Sequence, residues 1–104
     1  MTRAEERKIY AQALATHGIT TQTLMLAEEC SELVKAASKC CRYFSNLQPG
    51  DPVPPHLIEN LIEEMADVEI MVEQMKMEYY ITDSQVEDMK EAKLCRLKQR
   101  LGLK

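Results

Sequence analysis

Four acidic residues carry whatever chemistry this chain performs. Glu29 and Glu32 lie in Ala27-Glu-Glu-Cys-Ser-Glu-Leu-Val-Lys-Ala-Ala37, and Glu64 and Asp67 lie in Leu61-Ile-Glu-Glu-Met-Ala-Asp-Val-Glu-Ile-Met-Val72. Both segments read as amphipathic helices, and a spacing of three residues puts the two acids of each pair one turn apart on the same side. Their apolar company makes them unusual. At about 100° per residue, Leu57, Val68 and Met75 fall within about 40° of Glu64, and Cys40 and Leu33 within about 40° of Glu29. Glu32 and Asp67 flank those stripes at the same angular offset. Glu28 and Glu63 point further round, toward solvent.

A carboxylate in a core-facing stripe is costly unless something pairs with it. If the two helices pack stripe to stripe, four carboxylates converge and repel one another unless a cation sits among them. A single such acid is ordinarily a solvated group; two matched pairs inside apolar stripes point to a metal site. An all-carboxylate donor set selects Mg²⁺, with Mn²⁺ as a substitute, over zinc. A di-iron bundle would need Glu-x-x-His from two helices. Here Glu32 and Asp67 occupy those positions, and His17 and His56 lie outside both segments. Magnesium held by carboxylates is commonly held by substrate phosphates as well, which suggests metal-assisted attack of water on a phosphate chain. Only three glycines occur and none form a phosphate loop, so attack at the α phosphorus, with pyrophosphate leaving, is the expected cleavage.

The elements that must position these residues are helical throughout. Thr2-Arg-Ala-Glu5 is a capping box opening a first helix to about His17, with Ile9, Tyr10, Ala13 and Leu14 as its buried side. Gly18 suits the left-handed position after a helix end. Thr20 or Thr21 caps a second helix to about Phe44. Ser45–Pro54 is a Pro- and Gly-containing connection, either a spacer or a cover for an open edge. Pro54-Pro55 fits the first turn of a third helix, about 26 residues and about 39 Å long, ending near Tyr80. Thr82-Asp-Ser-Gln85 is a second capping box and opens a fourth helix ending before Gly102. On that helix Lys93, Arg96 and Arg100 share a face beside the apolar residues. They either snorkel or neutralise phosphates.

The expected fold is therefore all-α, a four-helix bundle in one domain covering residues 1–104. A net charge of −4 argues against a nucleic-acid polymer as partner. No segment is long and apolar enough to span a membrane, and the N-terminus lacks an apolar signal region, so the cytoplasm is the expected compartment. The four cysteines, Cys30, Cys40, Cys41 and Cys95, have no zinc spacing and are expected to be buried thiols in a reducing compartment. A chain this short with two long helices buries limited surface alone, so a closed homo-oligomer is expected.

Glu28-Glu29-Cys-Ser-Glu32 and Glu63-Glu64-Met-Ala-Asp67, in that order and followed by Lys93 and Arg96, resemble the paired EExxE and ExxD motifs of the all-α nucleoside triphosphate pyrophosphohydrolases, the MazG-like group. The resemblance implies Mg²⁺ bound by Glu29, Glu32, Glu64 and Asp67. It implies hydrolysis of a nucleoside triphosphate to monophosphate and pyrophosphate, in nucleotide-pool housekeeping. It also implies a dimer or dimer of dimers with sites near subunit interfaces. Asn60, one turn before Glu64, is the candidate contact to sugar or base. Several relatives stack the base on tryptophan, which this chain lacks, and Tyr79 is expected in the core. Two rival readings stand beside this one: a phosphoribosyl-ATP pyrophosphohydrolase, and a helical module that binds nucleotide or metal without turnover.

Overall fold

The computed structural model describes residues 1–104. It holds three helices, α1 (Arg3–Ser45), α2 (Pro55–Glu78) and α3 (Asp83–Arg100), and no strand. The all-α class is as expected; the four-helix bundle is not what one chain forms. The expected first and second helices are a single element with one interruption, at Gly18 (φ 80°, ψ 159°). No separate cap forms at Thr20 or Thr21, because the chain resumes its helix directly after the glycine. Only α1 and α2 pack along their lengths; α3 is tied to them at its first residue, where Asp83 pairs with Lys76 and Arg3, and it has no buried residue.

Local signals set the helix ends. Thr2 accepts from the Glu5 amide while the Glu5 carboxylate accepts from the Thr2 amide, and Thr82 and Gln85 repeat this reciprocal cap at the start of α3. Pro55 opens α2, where its missing N–H costs nothing. At the other end of α2, Tyr80 takes the left-handed conformation (φ 55°). The Ile81 amide then reaches back to the Lys76 carbonyl at 2.8 Å and the Tyr80 amide to that of Met77 at 3.4 Å. This closure usually employs glycine. In the α1–α2 connection the Gln48 amide donates to the Asp51 carboxylate at 2.8 Å, closing a turn through Pro49 and Gly50.

The α1–α2 pair is antiparallel. Gln22 meets Gln74, Thr23 approaches Met75, and the Cys40 thiol donates to the Leu57 carbonyl. The seam buries only Ala36, Cys40 and Met71 among apolar residues, together with Gln22 and Gln74. In the first segment of α1, Tyr10, Ala13 and Leu14 are half-buried, but Ile9 is exposed. The expectation of buried thiols holds for Cys40 alone; Cys30, Cys41 and Cys95 are exposed because the faces that carry them have no neighbour. Tyr79, expected in the core, lies at the α2 terminus and is exposed.

The accessible surface is 8153 Å², against about 5,900 Å² for a compact monomer of this mass. The radius of gyration is 17.7 Å, against about 13 Å for a compact chain of this length. The excess comes from the projecting α3 and the bare outer faces of the hairpin.

Two backbone positions give opposite expectations. Nothing lies within 4 Å of a Cβ built at Gly18, yet its φ and ψ belong to a region almost reserved for glycine. Gly18→Ala should therefore destabilise by about 1–3 kcal/mol through strain alone. The Tyr80 side chain is 92% exposed, so Tyr80→Gly relieves the left-handed penalty and should stabilise by about 1 kcal/mol. Urea midpoints for the two variants should move in opposite directions; a fall for Tyr80→Gly would mean the ring has contacts that the strain serves.

Candidate metal centre

The antiparallel register brings one acid of α1 against two of α2. One carboxylate oxygen each from Glu29, Glu64 and Asp67 lies within 4.8 Å of the other two. All three residues are half-buried. The grouping follows from the stripes: Glu29 and Glu64 sit at the centre of the faces that meet, and Asp67 lies one turn from Glu64 on the flank of the same face.

Glu32, the fourth expected member, is outside this group. It lies one turn further along α1 and forms an ion pair with Lys35 at 3.3 Å. It remains close enough for its charge to act on Glu64. Lys93 and Arg96 are exposed on α3 and are not brought to the carboxylates within one chain. Asn60 is exposed on α2, one turn from Glu64, beside the site but not among its acids. Glu28 and Glu63 face solvent, as their angles indicate.

The acids are electrostatically frustrated. Burial pushes the Glu29 carboxyl above the usual carboxylate range, followed by the charge of Asp67, a hydrogen bond with Asp67, and the charges of Glu64 and Glu28. Burial also raises Glu64, with Asp67, Glu32 and Glu63 adding repulsion. Glu64 Oε2 is shut off from solvent by its immediate neighbours and has no hydrogen-bond partner. A buried carboxylate oxygen without a donor is an unmet demand for positive charge. Three hard carboxylate ligands, one of which carries an orphaned oxygen, fit a Mg²⁺ or Mn²⁺ ion that keeps waters and further oxygen ligands on its open side.

Sequence reasoning missed the residues that hold this register. Gln22 and Gln74 are buried, and Gln22 Nε2 donates to Gln74 Oε1 at 2.6 Å across the seam. The signal was present: Gln22 lies two turns before Glu29 and Gln74 two turns after Asp67, both on the acid-bearing stripes.

The direction of the shifts fixes a pH dependence. Glu29 and Glu64 have folded-state pKa values above their unfolded value near 4.5, so the folded state binds protons more tightly. The stability this supplies is fully present below that value and is lost as pH rises through the raised folded values. Metal-free protein should therefore melt at a higher temperature near pH 5 than at pH 7. Glu64→Gln should raise the melting temperature at pH 7 and flatten that dependence. Both effects should shrink when Mg²⁺ is added. A lower melting temperature for Glu64→Gln without metal would make Glu64 a structural partner rather than a ligand.

No protein-family model matches this chain, and neither a curated protein nor a solved structure matches it, so the site stands on its own geometry.

Proposed function

We propose that this chain is a Mg²⁺-dependent nucleoside triphosphate pyrophosphohydrolase that converts a nucleoside triphosphate and water to the monophosphate and pyrophosphate. The observation that carries the reading is the meeting of Glu29, Glu64 and Asp67 from two antiparallel helices, with Glu64 Oε2 lacking any donor. The similarity of the two acidic motifs to those of the MazG-like group is a second, weaker support.

In this reading Glu29, Glu64 and Asp67 hold Mg²⁺, and Glu32 joins them by releasing Lys35, an exposed partner that is easily given up. The ion, when bound, supplies charge neutralisation on phosphate oxygens and lowers the pKa of a coordinated water. The chain's own part is to fix three carboxylates on rigid helices. Glu29 and Asp67, whose carboxylate oxygens lie within 4.8 Å of each other, must both be deprotonated before both can act as ligands. Lys93 and Arg96 serve to offset charge on the departing phosphates. Within one chain α3 stands away from the hairpin, so that role calls for α3 to come in across an assembly. The proposal therefore includes a closed homo-oligomer, as a dimer or a dimer of dimers. Asn60, exposed beside the acids, is the proposed contact to sugar or base.

The distance of Lys93 and Arg96 from the acids also favours a second reading, a module that binds metal or nucleotide without turnover. A pyrophosphate-release screen over nucleoside triphosphates and phosphoribosyl-ATP, with and without Mg²⁺, separates the cases. The pyrophosphohydrolase reading expects monophosphate and pyrophosphate, with oxygen from labelled water in the monophosphate. Glu64→Gln and Asp67→Asn should abolish turnover, and Lys93→Ala should slow it without weakening Mg²⁺ binding. Orthophosphate carrying the label would overturn the cleavage assignment. Magnesium-dependent thermal stabilisation without product from any substrate would favour the module.

A further inference from the structure

The hairpin has a second apolar face that nothing in the chain covers. On α1, Ala27, Cys30, Val34, Ala37 and Cys41 recur at alternating steps of three and four, and all are exposed. On α2, Ile58, Ile62, Met65 and Val72 follow the same rhythm, interrupted once at Glu69; they are 40–60% exposed. Steps of three and four define a straight stripe of the kind that lies in a helix–helix seam. Seen from each helix's own N-terminus, the stripes lie about 100–180° clockwise of Ala36 on α1 and of Met71 on α2. Because α1 and α2 run in opposite directions, the same rotation on each puts the two stripes on one face of the hairpin. Asp67 and Glu32 lie counterclockwise of the seam, toward the opposite face.

We infer that this second face is where another copy of this chain docks, with α2 of each copy lying on α1 of the other. The face is self-complementary: the α1 stripe is mostly small and the α2 stripe mostly bulky. A two-fold axis parallel to the helices sets bulky on small twice over, and every neighbouring helix pair is then antiparallel. The axis also keeps heights along the helices unchanged. Positions that lie level within one chain, such as Gln22 with Gln74 and Cys40 with Leu57, are then level across the interface too. Val34 of one copy faces Ile62 of the other, Met65 covers Cys30, and Ile58 covers Cys41.

The areas are compatible. Relative to compact monomers, two copies carry about 4,500 Å² of surplus surface between them, part of it on the projecting α3 and the rest on the bare hairpin faces, against the roughly 2,000–5,000 Å² that obligate homodimers bury. The three apolar residues buried in one chain are a thin core for helices of this length, and docking would add a second layer to it. The acids stay open on the far side, so this contact does not itself bring Lys93 and Arg96 to them; that approach belongs to a contact between dimers.

This inference rests on the proposed self-association but not on the enzymatic reading. The wild-type thiols test it directly, since Cys30 and Cys41 lie in the face while Cys95 lies on α3. All three are exposed in one chain. Sedimentation at micromolar concentration should give a dimer or a multiple of it. In that species Cys30 and Cys41 should react with a maleimide about tenfold or more slowly than Cys95. Ile62→Lys should yield a helical monomer with fast Cys30 and Cys41, whereas Leu97→Lys on α3 should leave the dimer intact. If Ile62→Lys fails to fold, the wild-type labelling still decides. A wild-type monomer would overturn both the self-association and the face. An oligomer whose Cys30 and Cys41 react as fast as Cys95 would overturn the face alone.

Discussion

Glu29, Glu64 and Asp67 share one seam because α1 and α2 can bury their apolar stripes only by bringing the acids on those stripes together. Burial of Ala36, Cys40 and Met71 draws the helices close, while the carboxylates between them push apart. Without a cation the chain has two ways to relieve the conflict. It can hold a proton on Glu29 or Glu64, which is the direction in which both groups are shifted, or it can open the seam. A divalent ion bound there would remove the need for either, and its binding would then be linked to tight closure of the hairpin. The site is therefore also a determinant of the fold's stability.

The other end of the hairpin is governed by a different set of charges. Lys76, with its side chain only 15% exposed, holds Asp83 at 2.6 Å and Glu73 at 2.9 Å, and Arg3 also pairs with Asp83. These ion pairs and the left-handed turn at Tyr80 and Ile81 fix where α3 begins. Hydrogen bonding to Lys76 holds the Asp83 carboxyl below its ordinary value near 3.8, and hydrogen bonding to Asp83 and then Glu73 raises Lys76 above 10.5. For Asp83 the stabilisation is present above its unfolded value and is lost as pH falls through the lowered one. For Lys76 it is present below its unfolded value and is lost as pH rises through the raised one. The junction is thus charged and intact across neutral pH. Its windows do not overlap that of the carboxylate cluster, whose protonation begins above 4.5 as pH falls. Of these pairs only Arg3–Asp83 is exposed on both sides and so screened by salt; Lys76 holds Asp83 from a largely covered position.

Much of the local structure could be read from residue types. Thr2 with Glu5, Thr82 with Gln85 and Pro55 each announce a specific backbone event, and each event occurs; Gly18 interrupts α1 at positive φ but with ψ 159°, not in the helix-end conformation expected of it. Such signals depend only on neighbours in sequence. The convergence of Glu29, Glu64 and Asp67 was legible for a related reason: angular position on a helix follows from counting. What a single chain leaves apart depends on tertiary neighbours. Glu32 shares its angular offset with Asp67, but Lys35 one turn on offers it an ion pair. Lys93 and Arg96 lie beside an apolar stripe, but no partner in the chain receives that stripe, so α3 stands away. Cys30 and Cys41 have the composition of core residues and lie on a face that a single chain leaves bare. Periodicity says which side of a helix is apolar; it does not say how many of those sides one copy of the chain can cover.

The Gln22–Gln74 pair ties these constraints together. A buried amide costs several kcal/mol if left without partners, whereas an apolar residue in the same place would be satisfied by any hydrophobic neighbour. Gln22 lies seven residues before Glu29, and Gln74 seven after Asp67; at about 1.5 Å per residue that is about 10.5 Å along each helix. The amides therefore meet only in the register that also sets Glu29 opposite Asp67. A slide of one residue would separate the amides and strand them in the seam, and it would displace the acids from one another by the same step. Repulsion among the carboxylates favours such a slide, while the apolar contacts of so thin a core resist it only weakly. The hydrogen bond between the two glutamines, with that of the Cys40 thiol to the Leu57 carbonyl on the other side of the acids, opposes it, so the acids remain close together because uncharged groups flanking them pair in only one register.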